Sequence, residues 1–250
     1  MPLSSLRTAL TIALASSPAF ANRRTLVITL LAAPVLSTLM LAAVVGSIPG
    51  TDLRGAVYAG ILLSAFTSVM SATNATLAYE RHTGVVPAAL FPRFGTPAYW
   101  VAKPVLPLIS AALVSLMSLG AVFFMDPARD THILACALVV LPVALVCGAI
   151  IGLAVGVFSL ILSDPYLVSN VLSGVLPLTA GVAAPLAAYP DWLRAISQLL
   201  PMSWTVNAMR TGGSPLPGEL WTTLPWVVLG FAGVVLSRRR LRDGRDASLF

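Results

Sequence analysis

The chain has 250 residues, of which 58% are hydrophobic and only 10% charged, and its mean hydropathy is +0.91. A soluble domain needs about 25% charged residues to cover its surface, so most of this chain must have lipid as its solvent. The net charge of +6 does not indicate nucleic acid, because the arginines cluster at the ends of apolar runs. Two cysteines and two histidines form no cluster with metal-ligand spacing, and we expect no metal.

Six uncharged apolar runs predict six membrane-spanning helices, because one span takes about 20 apolar residues. The runs cover residues 25–46, 56–78, 104–125, 133–162, 166–186 and 224–236. The predicted fold class is therefore an all-α integral membrane protein. Two connections, 79–103 and 187–223, are longer than a turn, and long connections in a compact protein are usually functional.

The positions of the basic residues predict that both termini are cytoplasmic. If the chain begins inside, the inner segments carry 11 of the 15 arginines and lysines, and the outer segments carry four. The positive-inside rule favours this orientation, with 79–103 cytoplasmic and 187–223 external. The domain organisation is then a cytoplasmic segment 1–24, a six-span domain 25–236 and a basic cytoplasmic tail 237–250.

The first 21 residues allow two interpretations. Arg7, a short apolar stretch and the sequence Ala19-Phe20-Ala21 imitate a cleavable signal peptide. Cleavage there would leave Arg23 and Arg24 outside, against the charge rule. We therefore favour an amphipathic helix that lies along the cytoplasmic interface.

Several energy sources and chemistries find no support in the sequence. The single lysine, Lys103, is not preceded by a glycine-rich phosphate-binding loop, so we expect no ATP bound by this chain. None of the six apolar runs contains a charged residue, which argues against a proton-coupled antiporter. No nucleophile, base and metal set can be assembled, so we do not expect an enzyme.

The loop after the second span has a charged start, a short apolar segment and a proline before the next span. Such a helix could dock in a groove of another protein, or it could merely reverse the chain. The residues that would make the contact are Glu80, Arg81, His82, Gly84, Val85, Val86, Leu90 and Pro92.

The order of Glu80, a basic residue, Gly84, apolar residues, Pro92 and then Lys103 resembles the permeases of the ABC type-2 transporter family. An arginine pair before a first span with an early proline, and a basic tail after the last span, are similar to that family too. The external stretch containing Trp192, Pro201, Asn207 and Arg210 also resembles it. The resemblance implies that loop 79–103 holds a coupling helix that rests on a separate ATPase subunit, which binds ATP and Mg. It also implies a second permease copy or homologue.

Three further patterns concern the path of a substrate. The second span carries a polar stripe of Ser64, Thr67, Ser68, Ser71 and Asn74, which suits helix packing and a weakly polar path wall alike. Three glycines four residues apart in the fourth span, at 148, 152 and 156, predict close helix contact. The external stretch predicts one or two short helices, acting as a structural lid or as an outer gate formed by Trp192, Pro201, Asn207 and Arg210.

Together these features predict a permease subunit of an ATP-driven exporter in the bacterial cytoplasmic membrane. The absence of charge from the apolar runs favours an amphiphilic or hydrophobic cargo such as a drug, an antibiotic or a lipid-like molecule, ahead of lipid-linked polysaccharide. The alternative is an integral-membrane structural or assembly protein without transport activity.

Overall fold

A computed structural model of the chain describes residues 52–83 and 97–242, with the single positions 36, 40 and 43. The predicted interfacial helix 1–24, nearly all of the first predicted span and residues 84–96 of the coupling loop lie outside the described residues. Residues 243–250 of the basic tail lie outside them as well.

The described part contains helices and connections but no strand, which confirms the all-α fold class for these residues. It contains a short 3-10 helix, Leu186–Ala188, and seven α-helices: α1 Leu53–His82, α2 Pro97–Met125, α3 Thr131–Ser159, α4 Leu167–Thr179, α5 Asp191–Leu199, α6 Ser203–Thr211 and α7 Leu216–Arg242. Four segments are long and apolar enough to cross a membrane: Leu53–His82, Tyr99–Met125, Thr131–Ser159 and Leu216–Ser237.

Helix α1 lies at the centre of the bundle, and α3 packs along it. The predicted close contact at the glycines of α3 is confirmed. A Cβ at Gly148 would lie 2.7 Å from the carbonyl oxygen of Phe66, and a Cβ at Gly152 would lie 2.9 Å from the Cα of Met70. Glycine is therefore required for the backbones of α1 and α3 to approach so closely.

We name the two ends of the bundle after residues of α1: it begins at the Asp52 end and finishes at the Glu80 end. Helix α3 begins at the Asp52 end, because Arg54 in α1 is 3.3 Å from Asp126, just before α3. Helix α7 runs in the same direction as α3, since Thr223 contacts Cys147 and Gly230 lies against Ala154 seven residues later on both helices. The carboxyl end of α7 and the α1–α2 connection therefore share the Glu80 end.

The helices extend beyond the apolar runs, which corrects one expectation. Residues 79–82 belong to α1, and residues 97–103 belong to α2, so the connection between them is 83–96 and not 79–103. Helix α7 begins at Leu216 and not near 224. As a result Glu80, Lys103 and Glu219 fall inside candidate spans, where we expected no charged residue. Hydropathy placed the boundaries of the predicted spans at the charged residues. The helices continue past them because Glu80 pairs with Lys103 and Glu219 accepts hydrogen bonds from Thr205.

The fifth predicted span is not one continuous helix. Helix α4 ends at Thr179 after 13 residues, and Gly181 follows with a φ of 76° in the left-handed region. A helix of this length rises about 20 Å, short of the roughly 30 Å of a bilayer core. The total of six spans therefore stays a prediction.

Candidate functional site

The last turn of α1 and the first turns of α2 form a buried charged cluster at the Glu80 end. The side chains of Glu80 and Lys103 are only 3% and 5% exposed, and they form an ion pair. The Tyr99 hydroxyl donates a hydrogen bond of 2.5 Å to the other carboxylate oxygen of Glu80. The Lys103 ammonium also lies 4.5 Å from the centre of the Tyr99 ring. A buried ion pair is stable only when such additional contacts complete it, so these three residues act as one unit.

Arg81 joins this end of α1 to the end of α3. Its guanidinium donates hydrogen bonds to the carbonyl oxygens of Ser159 and Leu162, the latter at 2.6 Å. The last carbonyls of a helix have no partner within the helix and carry partial negative charge, so a cation there is favourable. The spans α1, α2 and α3 are thus joined directly beside connection 83–96.

About two turns deeper in α1, Asn74 binds the start of α4. Its amide nitrogen donates to the carbonyl oxygen of Pro165 at 3.1 Å and to the Ser169 hydroxyl at 3.0 Å. The other members of the predicted polar stripe do not share this role, since Ser64, Thr67 and Ser71 are half-buried and Ser68 is exposed. Thr67 donates only to carbonyls of its own helix. Packing therefore accounts for Asn74 and leaves the rest of the stripe open.

At the Asp52 end, Arg210 in α6 connects three elements. Its guanidinium lies 3.1 Å from the Asp52 carboxylate and donates to the carbonyl oxygens of Gly181 and Val182 at 3.4 and 2.9 Å. Burial lowers the pKa of Arg210, and the Asp52 charge opposes this shift. Arginine remains a cation under such a shift, so the contact is a charged one.

Gly55 makes room for this pair. A Cβ on Gly55 would lie 2.0 Å from the Asp52 carboxylate and 2.7 Å from the Arg210 guanidinium. Asp52 also accepts a hydrogen bond from the Gly55 amide and so caps α1. The start of α1 and the end of α6 are therefore fastened at one point.

A cleft of about 240 Å³ lies at the edge of the stretch 187–223, lined by Leu186, Ala187, Arg194, Gln198, Trp204 and Asn207. Arg194 donates to the carbonyl oxygens of Leu186, Ala187 and Tyr189. Of the four residues predicted for the outer gate, Asn207 lines this cleft and Arg210 holds α6 in place. Trp192 is exposed on α5, and Pro201 is buried before α6. The structure does not bring the four together in one site.

The predicted coupling residues are also divided. Glu80 is buried within the chain, Arg81 is half-buried against α3, and His82 is exposed. Gly84, Val85, Val86, Leu90 and Pro92 lie outside the described residues. In this chain the carboxylate of Glu80 is occupied by Lys103 and Tyr99, so it holds the base of the connection together and does not present itself on the surface.

Sequence reasoning missed Glu219, which is 1% exposed in the first turn of α7. It was hidden because residues 187–223 were interpreted as one external loop. The sequence does contain a signal for Glu219: it is a single acidic residue beside an apolar run and tryptophans. An acid without a partner would be costly so close to the membrane.

Four long apolar helices with charged side chains near their ends indicate a multi-pass membrane protein. Its sequence contains no glycine-rich nucleotide-binding loop. The profile of the ABC-2 type transporter family matches residues 19–212, and the chain belongs to this family. It is therefore a permease of an ABC transporter, a subunit type that is generally not catalytic itself. No curated protein matches the chain.

Proposed function

We propose that this chain is the membrane subunit of an ATP-driven exporter that moves an amphiphilic or hydrophobic molecule, such as a drug, an antibiotic or a lipid-like compound, out of the cell. A separate ATPase subunit binds ATP and Mg, and a second permease copy or homologue completes the path. Both termini and connection 83–96 are cytoplasmic in this proposal, in the bacterial cytoplasmic membrane.

The observation that carries the proposal is the joining of three spans at the base of connection 83–96. Glu80 binds Lys103 across α1 and α2, and Arg81 binds the end of α3. A force applied to this connection by an ATPase would therefore reach all three spans together. The ATPase can move them only if its nucleotide states bind the permease conformations with different affinity.

The contact between α1 and α3 supports transmission to the other end of the bundle. Their backbones touch at Gly148 and Gly152, and Gly156 is covered by the Leu77 side chain. Such closely packed helices move as a unit because packed interiors do not deform continuously. A displacement at the Glu80 end would thus be transmitted along α1 to Asp52. Asp52 caps the start of α1 and forms an ion pair with Arg210.

The cargo class rests on the middle of the described spans. Residues 56–78, 104–125 and 133–159 contain no aspartate, glutamate, lysine, arginine or histidine, and the charges that the structure adds to the spans lie near helix ends. A bare ion would find no compensating charge on such a wall. A path lined by Ser64, Thr67, Ser68 and Ser71 instead suits a molecule with both apolar and weakly polar parts.

Accumulation of ethidium in cells tests this function. Cells that express the chain with the P-loop ATPase that co-purifies with it should accumulate less ethidium than cells with an ATPase variant unable to hydrolyse ATP. Val85→Asp should abolish both co-purification and export, because a charge would enter the apolar docking contact. Ala128→Asp, an exposed site at the opposite end, is the matched control and should change neither.

Two outcomes would contradict the proposal. Export that continues with the inactive ATPase but stops with a proton uncoupler would place the energy source elsewhere. Stable association with the ATPase without any ATP-dependent export of ethidium, of an antibiotic or of a fluorescent lipid would favour the structural or assembly alternative.

A further inference from the structure

Helix α6 packs at the Asp52 end of the bundle, beside the residues that follow α4. Helix α4 stops at Thr179, and three side chains of α6 and its cap, Met202, Val206 and Met209, are buried in the same apolar core as α1 and α3. The chain thus completes the bundle there with a separate helix of nine residues. Such a helix needs its ends satisfied, because the first N–H and last C=O groups of a helix have no internal partners.

The amino end of α6 is held by Glu219 of α7. One carboxylate oxygen accepts from the Thr205 amide at 2.9 Å and from the Thr205 hydroxyl at 2.8 Å. The other oxygen accepts from the Met202 amide at 3.2 Å. A backbone N–H cannot turn away, so each oxygen must act as an acceptor. A carboxylate meets this demand, whereas the isosteric amide of glutamine would turn an NH₂ group toward one of the two donors.

The negative charge of Glu219 is balanced by the helix itself. Within residues 52–83 and 97–242 no salt bridge reaches Glu219. Its carboxylate lies instead at the amino end of α6, where the helix dipole is positive. Met202, the residue before α6, adopts a left-handed conformation with a φ of 75°, which is costly for a residue with a Cβ. The hydrogen bond from its amide to Glu219 helps to hold that conformation.

The carboxyl end of α6 is held by Arg210, which binds Asp52 and the carbonyls after α4. Charged side chains therefore fasten α6 at both ends, one to α7 and the other to α1 and α4. Between these ends α6 carries Trp204 and Asn207 toward the cleft. Trp204 also lies on Gly218, one residue before Glu219, where any Cβ would collide with its ring.

We propose that Glu219 is a positioning residue that keeps the transport path closed at the Asp52 end by fixing α6 between α1 and α7. This inference rests on the proposed export function, in which that end is the outer gate. Opening the gate then requires α6 and the start of α7 to move together, because Glu219 makes them one unit. Loosening Glu219 separates α6 from α7 and leaves a gap beside the shortened α4.

Hydrogen–deuterium exchange of the full chain in lipid nanodiscs tests the attachment without cargo or ATP. In Glu219→Gln, amides of the segment 202–211 should exchange about tenfold faster, as expected for the loss of one buried hydrogen bond. Segments within α1 and α3 should exchange at the wild-type rate. Asp191→Asn removes the same charge from a side chain that is 99% exposed, and it should leave segment 202–211 unchanged.

Leakage of carboxyfluorescein from proteoliposomes without ATP tests the gate. Glu219→Gln should release the dye several-fold faster than the wild type and Asp191→Asn. If Glu219→Gln fails to fold, Thr205→Val carries both tests, since it removes only the hydroxyl bond and should show the same changes to a smaller extent.

Unchanged exchange in segment 202–211 would overturn the attachment, and faster exchange without faster leakage would overturn the role in closing the path. A failure of the proposed function would look different: the wild-type chain with its ATPase would export no tested compound, whereas the exchange result would still report on Glu219.

Discussion

Charged residues have different partners at the two ends of the bundle. At the Glu80 end, Glu80 and Lys103 pair with each other, side chain to side chain, between two long helices. At the Asp52 end, Glu219 binds amides and Arg210 binds carbonyls, so the side chains mainly satisfy the backbone. The difference follows from the elements involved, because Glu80 and Lys103 lie in two long helices, whereas Glu219 and Arg210 hold a short separate helix, α6, at the end where α4 has stopped.

Broken helices leave unpaired N–H and C=O groups inside a protein that has little water to offer them. Side chains satisfy such groups here: Arg194, for example, donates to three carbonyls around the 3-10 helix. Tyr189 contributes too, since its hydroxyl donates to the Leu178 carbonyl at 2.9 Å and burial raises its pKa, which keeps the hydroxyl protonated as a donor. At the Asp52 end, polar side chains thus hold short segments between the long helices, whereas at the Glu80 end they join the long helices directly.

The largest effect should come from breaking the joint at the Glu80 end. Lys103→Met leaves the Glu80 carboxylate buried without its partner, which should lower the free energy of unfolding by about 3–5 kcal/mol. Chemical denaturation in detergent micelles measures the loss. The double variant Glu80→Gln/Lys103→Met should recover most of it, and a double variant as unstable as the single one would show that the pair is not the cause.

The contact that links the two ends should come next. Gly152→Ala places a Cβ 2.9 Å from the Cα of Met70, so α3 must move away from α1, at a cost of about 1–3 kcal/mol. Gly120→Ala in α2 is the matched control, because nothing lies within 4 Å of its Cβ position. Both variants are compared by thermal unfolding. Equal melting temperatures would mean that α1 and α3 are not packed as described.

A change at the Asp52 end should have a smaller effect on stability. Arg210→Lys keeps the charge beside Asp52, but one ammonium cannot also reach both carbonyls, so we expect a loss of about 1 kcal/mol. Hydrogen exchange in segment 202–211 should rise while α1 and α2 keep wild-type protection. A uniform rise in all segments would show that the two ends are not separable.

The smallest effect on stability is expected for the polar stripe between the ends. Thr67→Val removes a hydroxyl that donates only within its own helix, and the free energy of unfolding should change by less than about 0.5 kcal/mol. If the stripe forms the path wall, ethidium export should nevertheless change several-fold. Unchanged export would assign Thr67 to packing alone.

Sequence alone was sufficient for the features that depend on residue composition over a whole segment. Hydropathy located four long apolar helices, and the external stretch was predicted to contain short helices, which α5 and α6 confirm. The glycines of α3 were also interpretable, because a four-residue spacing places them on one helix face. These properties are local, so no knowledge of neighbouring helices was needed.

Only the tertiary structure decided what the charged residues do. Glu80 and Lys103 are 23 residues apart and were assigned to a loop, and Glu219 lies 14 residues from Thr205, which it binds. An ionisable side chain is stable inside a lipid-embedded bundle only beside its partner, and hydropathy cannot show which distant residues packing brings together. The ends of the helices and the fastening of α6 follow from those pairings.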